Sequence, residues 1–268
     1  MKNEKTEKLL ALFRGSPEPS AEDFKNLVVS LDNHQLLAKV FLLEGTPLVF
    51  KGSPMKYTVF REQVGDQFGI GSQDVCIVGS AKLGFSPSPG RKKDGTLRYG
   101  TPFAETSDVD VVIVSFELFD KGSRHLFARL NLIPPQVHEV RPFVHGSDKE
   151  GQKPKGTPPT VSLADWNLVK EAMRNFTFQN LNPGNLPMDH PLRQEIFDKI
   201  SSTSGLFCAL EPQVFVSKIR ARIFRNWKAA EDYYANSLRE LKRVLVGETD
   251  AEPEDVEDES PDAGSQKK

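Results

Sequence analysis

Two short apolar runs, one ending in Gly-Ser and the other opening on Asp-Val-Asp, constrain this chain more than any other stretch. Val75–Val78 (VCIV) passes into Gly79-Ser80. After a polar interval rich in Gly and Pro, Ser107-Asp108-Val109-Asp110 leads directly into Val111–Val114 (VVIV). Short apolar runs bounded by turn formers predict buried strands. Asp108 and Asp110 stand two positions apart, so both side chains leave one face of the second strand. Acids are disfavoured in strands, and two on one face repel. A bound cation accounts for the pair better than a turn cap does. Beside a backbone that an anion can approach closely, the two carboxylates suit Mg²⁺ and a polyphosphate.

Gly79-Ser80 followed by Asp108-Val109-Asp110 resembles the signature of the DNA polymerase beta-like nucleotidyltransferase superfamily, in which a glycine-serine turn is joined to an Asp-x-Asp on the next strand. The resemblance covers about Tyr57 to Phe119. One departure is the interval from Ser80 to Asp108, 28 residues, longer than is usual in the family. The resemblance implies an α/β (α+β) fold, a small mixed sheet with flanking helices and a C-terminal helix. It implies transfer of a nucleoside monophosphate from a nucleoside triphosphate to a hydroxyl on a protein, an RNA or tRNA, a nucleotide or a small molecule. Asp108 and Asp110 would be the catalytic, metal-binding residues, with Mg²⁺ or Mn²⁺ as cofactor. Gly79, Ser80, Lys82 and Ser107 would bind the nucleotide. By analogy the chain is expected to be a stand-alone prokaryotic enzyme of the stress, toxin–antitoxin or antiphage kind.

Active members of that superfamily add a third carboxylate from a later strand. The candidates are Glu139, flanked by alternating valines, and Glu211, at the end of Leu206–Leu210; each reads more readily as a surface carboxylate. Without either, the alternative is a catalytically degenerate nucleotide- or RNA-binding module of the same fold. Lys82 is either a cation for the triphosphate or a solvated surface lysine. Lys218, Arg220 and Arg222 alternate with Ile219, Ala221 and Ile223, a half-buried strand with one cationic face. That face either contacts phosphates or an RNA backbone, or is simply solvated.

Three regions are expected. Residues 1–44 read as a helical region, 45–246 as the nucleotidyltransferase-like domain, and 247–268 as a disordered acidic tail. Within the domain, 86–106 reads as an insertion, a flap or hairpin with Arg91-Lys92-Lys93, and 134–160 as irregular. Ser20 is the predicted N-cap of a helix whose apolar face is Phe24, Leu27, Val28 and Leu31. Ser53-Pro54 opens a second helix, with Tyr57, Phe60, Val64 and Phe68 inside and Gly69 closing it. Helices are also predicted from Glu117 to Leu130, from Val161 to Phe178, from Pro191 to Ile200, and after Asn226.

The net charge of −2 conceals an asymmetry. Residues 248–268 hold nine acidic and two basic side chains, so the rest of the chain carries a net +5. That is a mildly basic body suited to a polyphosphate or RNA, though too weak to argue nucleic acid alone. Cys76 and Cys208 sit in apolar runs and read as buried thiols in a reducing cytoplasm. His34 reads as a surface or boundary residue, and no histidine pair has metal-ligand spacing. No run is long enough to cross a membrane, and none resembles a secretory signal.

Overall fold

The computed structural model describes residues 19–104, 107–130, 170, 174–175, 177–186, 190–212 and 218–247. A four-stranded mixed sheet lies at its centre: β1 (Val75–Val78), β2 (Val109–Val114), β3 (Asn180–Leu181) and β4 (Ile219–Phe224), in the spatial order β1-β2-β4-β3. β1 runs antiparallel to β2, β2 parallel to β4, and β3 antiparallel to β4. Both apolar runs of the opening motif are therefore adjacent strands. Val78 pairs with Asp110 across them, which sets the Gly-Ser turn beside the second acid. β3 has no counterpart among the strands read from sequence, because two residues are too few to show an alternation.

Seven helices surround the sheet among the described residues: α1 (Ala21–Ser30), α2 (His34–Leu37), α3 (Pro54–Phe68), α4 (Gly79–Leu83), α5 (Phe116–Leu130), α6 (Pro191–Leu210) and α7 (Trp227–Leu245). Local signals placed most of their starts. Ser20 and Asp23 form a capping box, in which the Asp23 amide donates to Ser20 Oγ at 3.1 Å and the Ser20 amide to Asp23 Oδ2 at 3.2 Å. Asn226 Oδ1 accepts from the Ala229 amide at 2.8 Å and opens α7. Pro54 occupies the first turn of α3, although the Ser53 side chain makes no capping bond. Gly69 closes α3 at φ +69°, a left-handed conformation that glycine adopts without steric cost. α2 widens into a π-helix over Ala38–Leu43.

The alternation of the strands divides the core between two faces of the sheet. Val109, Val111 and Ile113 of β2 and Ile219, Ala221 and Ile223 of β4 pack with α3 and α6 through Phe60, Val64, Ile196, Ile200 and Phe207. Phe50, Phe60 and Phe207 contact one another there, with centroids 5.4 to 6.0 Å apart. Each such ring, fully buried, contributes roughly 1.5–3 kcal/mol. On the other face, Val78, Val112, Val114 and Phe224 pack with Ala229 and Ala230 of α7. Further along α7, Ala235, Leu238 and Leu241 join Phe24, Leu27 and Val28 of α1 and Leu37 of α2. The N-terminal helices thus share a core with the C-terminal one.

Three expectations are corrected. His34 is buried, its Nδ1 3.1 Å from the Asp32 carbonyl and its Nε2 3.2 Å from that of Val28. Cys208 is exposed, because α6 runs on to Leu210 and turns that position outward, whereas Cys76 is buried as expected. The helix predicted to stop at Ile200 is therefore twice as long, since Ser201-Ser-Thr-Ser204 does not break it: Thr203 and Ser204 hydroxyls donate back to the Lys199 and Ile200 carbonyls. The described part of the 86–106 insertion is a hairpin anchored to α1. Its arms are joined by backbone bonds such as Ser86 to Thr101 (2.8 Å) and Arg98 to Gly90 (2.9 Å). The Tyr99 hydroxyl donates to the Ala21 carbonyl, and the Phe85 ring meets Phe24 and Tyr99. The helices predicted before residue 15 and over 161–178, the irregular segment 134–160 and the acidic tail lie wholly or largely outside the described residues.

Candidate functional site

The edge of the sheet where β1 ends and β2 begins carries the candidate site. Backbone pairing decides its geometry. Val78 lies opposite Asp110 on β2, so the chain leaving β1 turns at Gly79 beside that carboxylate. Gly79 has φ +69°, and a β-carbon added to it would lie 2.9 Å from Asp110 Oδ2. Two independent constraints therefore demand glycine, a left-handed backbone and a carboxylate lying against the Cα. α4 then starts directly from the turn, with Ala81 buried in the core behind it.

Asp108 precedes β2 by one residue and projects to the same side as Asp110, by the strand alternation. This is the face that, further along, carries Val112 and Val114 against α7. β4 contributes to it as well. Its parallel register sets Arg220 opposite Asp110 and Arg222 opposite Val112. Arg220 reaches back diagonally, and its guanidinium lies 2.8 Å from Asp108 Oδ2, with side-chain exposures of 42% for Arg220 and 21% for Asp108. An ion pair that open to water is worth at most about 1 kcal/mol. Arg222 is more enclosed: it donates to Asn180 Oδ1 at 3.3 Å and lies over the Tyr233 ring, 4.7 Å from its centroid. The cationic stripe of β4 thus turns towards the acids. Lys218 stays exposed at the start of the strand.

No family model, curated protein or solved structure matches the chain. The chemistry of the site therefore rests on its own residues.

Lys82 is not a solvated surface lysine. It is 8% exposed, and its ammonium donates to the Gly45 carbonyl at 2.7 Å and to the Glu44 carbonyl as well. It ties α4 to the segment after α2. Burial pulls its pKa down to about 8, against the smaller opposing influences of Cys76 and Glu44. The Ser107 hydroxyl accepts from the Ala104 amide at 3.0 Å while the Ser107 amide donates to the Ala104 carbonyl at 2.8 Å, so this residue closes the turn that delivers Asp108.

Glu211, one candidate for a third carboxylate, does not join the pair. Glu211 caps the end of α6 and lies 3.3 Å from the ammonium of Lys56 at the start of α3. Both helices pack on the face that buries Val109 and Val111, opposite the one bearing Asp110. Leu206–Leu210, read from sequence as an apolar run ahead of Glu211, is the last turn of a helix; that is why the expectation fails. Glu139 lies outside the described residues. Among the described residues, no three His, Cys, Asp or Glu side chains gather in a way that would hold a metal.

Two residues of the site carried no signal in the sequence. Tyr234, on the inner stripe of α7, is close enough to Asp110 and Arg222 to feel both charges. Burial raises its phenol well above the usual range, Arg222 opposes that rise, and Tyr233, Asp110 and Cys76 add to it. Asn180 holds Arg222 from β3. Each depends on a pairing between segments far apart in the chain, and local patterning is silent about such pairings.

The donor chemistry fits Mg²⁺ or Mn²⁺. These hard cations take carboxylate oxygens and are commonly held by one or two carboxylates, with water and substrate phosphate completing the shell. Asp108 and Asp110 supply two such groups on one face, and a glycine Cα beside them leaves the backbone open to close approach.

Proposed function

We propose that this chain is a metal-dependent nucleotidyltransferase of the polymerase beta-like kind, transferring a nucleoside monophosphate from a nucleoside triphosphate to a hydroxyl acceptor. What carries the reading is the contact of Asp110 with Gly79: the acid pair and the small-residue turn, 28 residues apart along the chain at their nearest motif positions, meet at one sheet edge. The mixed sheet with helices on both faces is consistent with that fold. No helix among the described residues is long and apolar enough to cross a membrane.

In this reading Asp108 and Asp110 hold the cation, and the backbone at Gly79-Ser80 receives phosphate oxygens. A bound Mg²⁺ or Mn²⁺ would supply charge neutralisation of the triphosphate. The acceptor oxygen bonds to the α-phosphorus as the bond to the bridging oxygen breaks. Pyrophosphate leaves with that electron pair, and the hydroxyl proton passes to a carboxylate of the pair or to water. The chain's contribution is chiefly positioning, since a near-attack geometry alone is worth several orders of magnitude in rate.

One observation favours a second reading, a binding module of the same fold that has lost turnover. The strand beside β2 presents Arg220, a cation, opposite Asp110, where a third acid would complete a catalytic cluster. Incubating the full chain with Mn²⁺ or Mg²⁺ and each α-labelled triphosphate separates the two. Pyrophosphate release that is lost in Asp108→Ala and Asp110→Ala establishes the transferase. Metal-dependent binding without release establishes the module, and absence of both binding and release rejects both readings.

A further inference from the structure

We propose that Arg220 is a phosphate-binding residue that Asp108 holds until a cation arrives, so that metal and triphosphate bind with positive coupling. The inference rests on the reading of Asp108 and Asp110 as the cation-binding pair. Its own basis is the ion pair between Arg220 and Asp108 Oδ2 at 2.8 Å, on the face that Asp110 shares.

The three cations of β4 are not equivalent. Arg222 is half-buried against the Tyr233 ring and donates a hydrogen bond to Asn180 Oδ1. Lys218 is exposed at the strand's first turn. Arg220 bridges Asp108 and solvent, with 42% of its side chain exposed. A divalent cation coordinated by Asp108 competes with the guanidinium for the same carboxylate, so Arg220 opposes binding of metal alone. A triphosphate brought in with the metal offers the guanidinium new acceptors. The planar fork of arginine matches a phosphate as well as it matches a carboxylate. The exchange keeps Arg220 paired at each stage, and its exposure leaves room for the short swing required. Two ligands that each relieve a cost to the other bind cooperatively, and the coupling is reciprocal.

The predicted signature is a change of opposite sign. In the full-length chain, binding of Mn²⁺ is followed by the electron paramagnetic resonance signal of the free ion. It is measured alone and with an α,β-methylene nucleoside triphosphate, which cannot be turned over. Arg220→Gln is expected to bind Mn²⁺ alone about two- to five-fold more tightly, the ion pair being an exposed one. The same variant is expected to bind the Mn²⁺–triphosphate several-fold more weakly. Arg220→Lys, which keeps the charge without the fork, falls between the two and serves as the reading if Arg220→Gln does not fold. Shifts of one sign in both measurements, or none in either, overturn the inference while leaving the cation site standing. A folded wild-type chain that binds neither Mn²⁺ nor the triphosphate removes the functional reading, and the inference goes with it.

Discussion

Asp110 Oδ2 lies 2.9 Å from the point where a side chain on Gly79 would begin, and the backbone of Gly79 is left-handed at φ +69°. Glycine at this position therefore answers to the backbone and to the carboxylate at once.

Gly79→Ala tests that double requirement. The left-handed backbone alone makes the substitution cost about 1–2 kcal/mol, and the new methyl group must also push the carboxylate aside. Chemical denaturation measures the first effect. The second is read from a double-mutant cycle with Asp110→Ala, in which the loss of stability is expected to be smaller when the carboxylate is already absent. A cycle that sums without coupling would show that the two residues do not press on each other.

Lys82 should make stability depend on pH with a definite sign. Its pKa falls from the ordinary 10.5 to about 8 in the folded chain. Between pH 8 and 10.5 the unfolded chain holds a proton that the folded chain has released, so this group's contribution rises with pH through that window. Below pH 8 both forms are protonated and the burial penalty is constant, on the order of 3 kcal/mol. Cys76 acts in the opposite direction. Burial pushes its thiol up to about 12, and from pH 9 upward it takes stability away. The wild type minus Lys82→Met difference isolates the lysine. Urea denaturation from pH 7 to 10.5 should show that difference rising in favour of the wild type; a flat difference would mean the ammonium titrates as in water.

Glu211→Gln separates the two faces of the sheet. The residue pairs with Lys56 at 3.3 Å on the side of α3 and α6, with Lys56 well exposed. Its loss is expected to cost no more than about 1 kcal/mol and to leave Mn²⁺ affinity unchanged. A fall in affinity comparable to that of Asp108→Asn would place Glu211 in the cation's coordination shell after all.

Much of this architecture was legible in local patterning. Ser20, Pro54 and Asn226 opened helices because capping and proline chemistry act within a few residues, and Phe24, Phe60 and Leu238 fell inward because helical spacing puts them on apolar faces. His34 was misread because a lone histidine gives no sign that two backbone carbonyls will close round it. The burial of Lys82 was missed for the same reason: its partners, Glu44 and Gly45, lie 38 and 37 residues away.

The alternation of β2 and β4 settled which side chains share a face, since a strand's period of two is a local property. The neighbour each strand takes, and its register, came only with the assembled sheet. Register set Arg220 opposite Asp110 and left Glu211 behind the other face, because pairing between distant segments is decided by how the whole core packs. The residues that make a carboxylate pair were therefore visible in the amino-acid order, but the cation that now neutralises one of them was chosen by the fold.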